Sequence, residues 1–134
     1  MFTAMTILSL SDSNKKKKLE ATSQLRKTDA LSSAPLHHRL IFENDSIRII
    51  QLILLPGQET PKHSHPSGVS WVTKNSSLLV SDYSGINNRV NPKKDTITLR
   101  ADQVHVSQSE PAVILHSVKN IGPDEFHQYR VEFK

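Results

Sequence analysis

The sequence predicts a single small all-β domain, a sandwich, jelly roll or barrel, on three observations. From His38 onward, short runs rich in β-branched and aromatic residues recur, turn formers punctuate them, and none has the length of a helical crossover. The runs are HRLIFEN, SIRIIQLILL, GVSWVT, SSLLVSDY, NNRV, TITLR, QVHV, AVILHSVKN and FHQYRVEF, eight or nine strands in all. The breaks are Asn44-Asp45, Pro56-Gly57, Pro66-Ser67-Gly68, Lys74-Asn75, Ser84-Gly85, Asn91-Pro92-Lys93-Lys94 and Gly122-Pro123, each with turn chemistry. A parallel α/β sheet needs long crossovers that are missing here.

Taken in order, residues 1–35 form an extension rich in Ser, Thr and Lys that ends at Pro35. LEATSQLRKTDAL supports at most one short helix, because Leu19, Leu25 and Leu31 make only a thin apolar stripe. The extension is therefore expected to be partly mobile or to dock on the barrel or on a partner chain, with 36–134 as the domain. In the second run, Ile47, Ile49, Ile53 and Leu55 share one parity and Ile50, Leu52 and Leu54 the other, so both faces need cover. That points to a homodimer or to a docked extension. In the last run, His127, Tyr129, Val131 and Phe133 alternate with Phe126, Gln128, Arg130 and Glu132, and the second set reads as the wetted outer face.

Composition narrows the function classes. The chain has 134 residues, room for one domain, and no cysteine, which excludes disulfides, thiolate metal ligands and cysteine nucleophiles. The most apolar segment, 47–55, is interrupted by Arg48 and Gln51, and the first ten residues lack a basic start, so the expectation is a cytoplasmic protein with no membrane partner. Net charge is +4, but Lys15, Lys16, Lys17 and Lys18 account for it, so no nucleic-acid partner is expected. Four scattered glycines build no phosphate loop, and no serine sits in a nucleophile elbow.

The histidines carry the chemistry. His63 and His65, two apart on an extended segment, present both imidazoles on one face with Cα atoms about 6–7 Å apart, as two positions on one metal require. His116 lies on the late run AVILHSVKN, sharing its face with Ala112, Ile114 and Val118. Early and late histidines meet only if the sheet closes on itself.

GQETPKHSHP at 57–66 resembles the first motif of the cupin superfamily, a Gly followed by His-x-His, and HSVKN at 116–120 resembles the end of the second motif. The resemblance spans about 38–134. It implies a double-stranded β-helix, or jelly-roll barrel, of the RmlC-like cupin type with a short N-terminal extension, and a divalent metal ion (Fe, Zn, Ni or Mn) on His63, His65 and His116. The glutamate that cupins use as a fourth ligand has no counterpart, since Val69, Ser70 and Trp71 occupy its place. In the second motif Ala101 replaces the early Gly. The chain is similar to small cupins that lack the acid.

Three function classes follow. The first is a metalloenzyme, dioxygenase-, isomerase- or decarboxylase-like, acting on a small polar metabolite through three histidines, with His105 or His127 as catalytic proton carrier. The second is a non-catalytic module binding a metal and a small-molecule ligand, and the third a dimeric structural protein with a vestigial site. Asp82 and Glu110 are the acids nearest the pocket by sequence. Asn120 is read as a strand-end residue bonding backbone, and His37-His38 as a solvated pair at the extension's end.

Overall fold

The computed structural model describes residues 7–84, 89–107 and 115–134. Two helices, α1 (Ile7–Thr28) and α2 (Ala30–Ser33), precede eight strands: β1 (His38–Glu43), β2 (Ile47–Leu54), β3 (Gly68–Val72), β4 (Ser76–Asp82), β5 (Lys93–Leu99), β6 (His105–Ser107), β7 (His116–Asn120) and β8 (Phe126–Phe133). They form two antiparallel sheets, β1-β2-β8-β3-β6 and β5-β4-β7. The fold is all-β, a jelly roll, as the strand spacing predicts.

The local differences have physical causes. α1 is longer than the short helix expected, because Lys15–Lys18, Leu19 and Glu20 are strong helix formers and no Gly or Pro interrupts them before Pro35. α2 starts where the Asp29 carboxylate accepts from the Leu31 amide at 3.0 Å. The expected strand NNRV is not formed where it is described: Arg89 and Val90 lie in a turn, and 87–88 fall outside the described residues. Lys93 and Lys94, expected in that turn, open β5 instead, opposite Asp82 and Ser81. Pro92, which has no amide to donate, marks the boundary, and an edge strand tolerates the exposed lysines. Residues 112–114 of AVILHSVKN also fall outside the described residues, as does Glu110.

Strand register sorts the interior. On β2, Ile50, Leu52 and Leu54 face the core. Leu52, Leu54, Val72, Leu78, Leu99, Val118 and Phe126 form one cluster that joins the two sheets. Along the five-stranded sheet the inward rows change character: Leu54 with Phe126, then Leu52 with Gln128 and Val72, then Ile50 with Arg130, Ser70 and His105, then Arg48 with Glu132 and Gly68. One end of the barrel is thus apolar and the other charged.

This overturns the facing expected for β8. Phe126, Arg130 and Glu132 are buried, and His127, Tyr129, Val131 and Phe133 make the outer face. Arg130 and Glu132 can turn inward because Glu132 pairs with both Arg130 and Arg48. The other set aligns with apolar residues of neighbouring strands in an outer row of Phe42, Ile49, Val131, Val69 and Val106. Beside it Trp71 stacks on Tyr129, with ring centroids 5.7 Å apart. Gly68 is required where it stands: a Cβ there would lie 2.2 Å from the Val131 carbonyl oxygen, on the strand that carries Glu132. Among the described residues no helix is long and apolar enough to cross a membrane.

Leu54 is 0% exposed and Leu55 50%. Leu54→Ala is expected to lower unfolding free energy by about 2–5 kcal/mol, and Leu55→Ala by no more than about 0.5 kcal/mol. Urea denaturation of both variants beside wild type checks this; equal losses would contradict the facing of β2.

Candidate metal centre

Residues 57–64 run antiparallel along β7 and close the gap between the sheets. The Gly57 amide donates to the Asn120 carbonyl and the Asn120 amide to Gln58, each at 2.9 Å, and the Thr60 amide bonds to Val118. Gly57 begins this path with a φ of +81°, a backbone region that glycine enters without strain. Asn120 pins the strand end, its side-chain amide donating to the carbonyls of Leu54 and Asp124. His63 and His116 then face each other directly, exchanging both backbone hydrogen bonds at 2.9 Å. This bridge brings the early and late histidines together.

Four imidazoles meet there. Ring centroids of His63 and His116 are 4.6 Å apart, His63 and His65 4.9 Å, and His65 and His116 5.5 Å. The fourth is His38, 4.6 Å from His63 and 5.5 Å from His65, and the nitrogens of His38, His63 and His65 lie within 4.8 Å of one another. His38, read from sequence as half of a solvated pair, is in fact 5% exposed. It opens β1 on the inward row, paired with Leu52, while the bulge between Leu40 and Phe42 breaks the alternation that would have revealed it.

The hydrogen bonds select the tautomers. Carbonyl oxygens only accept, so the 2.8 Å contact of His63 Nδ1 with Pro61 O and the 3.2 Å contact of His38 Nδ1 with Ala34 O place a proton on each Nδ1. Each Nε2 keeps its lone pair, and both are buried with no hydrogen-bond partner among the described residues. His65 Nδ1 contacts Glu132 Oε1 at 2.5 Å. An imidazole tethered at Nδ1 to a carbonyl or carboxylate and bare at Nε2 is the usual state of a metal-ligating histidine. Burial, then His63, lowers the His38 pKa to about 3. Burial lowers that of His63, and lowers those of His65 and His116 well below the ordinary value. The rings are neutral, as metal ligands must be.

The spacing also fits. A metal–nitrogen bond of about 2.1 Å sets ligating ring centroids about 4.5 Å apart at right angles and about 5.2 Å apart at the tetrahedral angle, close to the 4.6–5.5 Å found.

The acid near the site is Glu132, rather than Asp82 or Glu110. Glu132 is fully buried, accepts from Arg48 and from His65, and forms an ion pair with Arg130 at 3.3 Å. Asp82 instead caps a turn, accepting from the Ser84 amide. His105 lies where expected, on the wall of a cavity of about 230 Å³ that runs from the histidines into the apolar core, past Arg130 and Ser70 to Leu52, Leu99 and Phe126. His127 does not point inward: it is on the outer face, bonded to Gln51 at 2.6 Å and packed on Tyr129, because the parity of β8 is the reverse of that expected.

No protein-family model matches the chain, and no curated protein matches it significantly. Solved structures do. A cupin domain from Bordetella pertussis superposes with a TM-score of 0.59 over 72% of this chain and 91% of that one, at 21% identity. The chain has the cupin fold. The cupin domain of Cnp3 from Schizosaccharomyces pombe matches with a TM-score of 0.50 over 72% of this chain and 59% of that one, at 16% identity. An RmlC-like cupin with a double-stranded β-helix fold from Methanocaldococcus jannaschii matches with a TM-score of 0.49 at 14% identity, over 72% and 77% of the two chains. The histidine cluster of this chain fits a metal-binding member of the fold.

Lowered histidine pKa values mean that the unfolded chain, titrating near 6.5, binds more protons than the folded one at acidic pH. Stability of the metal-free protein is then full above pH 6.5 and falls as pH drops below it, by up to about 1.4 kcal/mol per pH unit for each buried histidine. Urea midpoints between pH 7.5 and 5 check the slope, which His38→Gln should reduce. Midpoints independent of pH would contradict buried neutral rings.

Proposed function

We propose that this cupin holds one divalent ion, iron, zinc, nickel or manganese, on His63, His65 and His116, and presents it to a small molecule that enters the barrel cavity. The supporting observation is the convergence of the three rings at ring-centroid distances of 4.6–5.5 Å, with Nδ1 of His63 and of His65 committed and the His63 Nε2 buried without a partner among the described residues. An ion on three neutral imidazoles keeps its full charge and open positions, and acts as a Lewis acid toward an oxygen-bearing ligand.

The cavity wall favours a particular ligand class. Leu52, Leu78, Ile97, Leu99, Val118 and Phe126 make most of it, so the ligand has an apolar body and a polar head at the histidine end, in place of the wholly polar metabolite expected from sequence. Arg130 and Ser70 stand beside that head. His105, whose Nε2 is buried without a partner among the described residues, is placed to bond it or carry its proton. Turnover makes this an enzyme; binding alone makes it a ligand-holding module, and His105→Gln separates them by sparing metal while abolishing turnover.

In this reading residues 36–134 are the cupin domain and 1–35 its extension, and a second copy of the chain covers the outer sheet. The row Phe42, Ile49, Val131, Val69 and Val106, flanked by Ile53, Trp71, Tyr129 and Phe133, contains no carboxylate, and Arg39 lies at its β1 edge. Such a face is complementary to itself across a two-fold axis.

Elemental analysis of untagged protein tests the metal: near one ion per chain is expected, lost in both His63→Ala and His116→Ala. A wild-type chain that takes up none of the four metals overturns the reading. Sedimentation equilibrium tests the pairing. Wild type is expected to be dimeric and Val131→Lys monomeric with its fold intact; a monomeric wild type refutes it.

A further inference from the structure

We infer that His38 is a fourth metal ligand, standing in for the acid missing from the first motif, and that through it metal binding locks the segment 28–38 onto the barrel. The inference rests on the three-histidine reading and extends it.

Three observations carry it. The His38 ring is buried, fixed through Nδ1 to Ala34, and has a bare Nε2 that no described residue satisfies. A buried nitrogen without a partner is costly unless something binds it. Its nitrogens share the 4.8 Å cluster with His63 and His65, at ring spacings suited to one ion. And His38 does not line the cavity, whereas His63, His65 and His116 do. Because it stands outside that lining, ligation by His38 leaves the cavity-facing positions for the small molecule.

The segment that carries His38 also braces the other ligands. The Ser64 amide, between His63 and His65, donates to the Thr28 carbonyl at 2.7 Å, and the two hydroxyls meet at 2.6 Å. Asp29 pairs with Arg48, which pairs with Glu132, which holds His65 Nδ1. Ala30 and Ala34 are fully buried between these anchors. Metal and docked segment therefore contact the same residues from both ends. By linkage, whatever the docked segment adds to metal affinity, the metal returns as stability of docking.

The test uses the full chain with Zn²⁺ as probe. Chelator competition on wild type, His38→Ala and His37→Ala is expected to show Zn²⁺ affinity at least about tenfold weaker for His38→Ala alone, with a changed Co²⁺ absorption spectrum marking the lost ligand. Hydrogen exchange of wild type is expected to show amides 30–38 more protected with Zn²⁺ than without, and this needs no variant. If wild type binds no Zn²⁺ or Co²⁺, this inference is overturned, and the three-histidine reading falls as well only if iron, nickel and manganese are not taken up either. If wild type binds while His38→Ala matches it in affinity and spectrum, only the role of His38 is refuted. Unchanged exchange at 30–38 refutes the locking.

Discussion

The structure hangs on one buried carboxylate. Glu132 has no exposed surface, and it is accommodated only because Arg48, Arg130 and His65 all donate to it or pair with it. An unpaired charge at that depth would be expelled or neutralised, so the partners are obligatory and their positions follow from it. Through them Glu132 on β8 fixes β2, the loop that carries His65 and, by way of Asp29, the end of the N-terminal extension. Gly68, directly across the register, keeps β3 close enough for that network to stay dry. Glu132, an acid that lies outside the first motif, thus holds the His65 ring by its Nδ1.

The inward rows explain where the chemistry sits. Toward Leu54 and Phe126 the barrel is filled by apolar side chains, and toward Arg48 and Glu132 by charges that neutralise one another. The histidines stand at the boundary. Burial there holds the imidazoles in their neutral form, and the cavity beyond them is lined largely by apolar side chains. The N-terminal extension belongs to this arrangement, since Thr28 and Asp29 meet Ser64, the residue between His63 and His65.

The all-β class and the two histidine segments were legible from the sequence because they rest on local patterns: turn residues, short β-branched runs, and the spacing of His-x-His after Gly57. That His116 would meet His63 and His65 was expected through the resemblance to cupins. The alternation in β8 was legible as a pattern and misleading as a direction. Period two says that Arg130 and Glu132 share a face, and only the partners on β2 and β3 decide that the face is inward. His127 fell to the outside for the same reason.

The sequence by itself determined the fold class and the two histidine segments, since hydrophobic period and turn chemistry act over a few residues. The tertiary structure alone decided the rest. It brought His38 to the cluster from the start of β1, gave the buried acid's role to Glu132, and turned an extension with a thin apolar stripe into a brace for the loop of His63 and His65. Those assignments rest on contacts between residues up to 84 positions apart, as Arg48 and Glu132 are. Whether a charged side chain is buried depends on which opposite charges the folded chain brings beside it, a property of the assembled sheets that no short stretch of sequence contains.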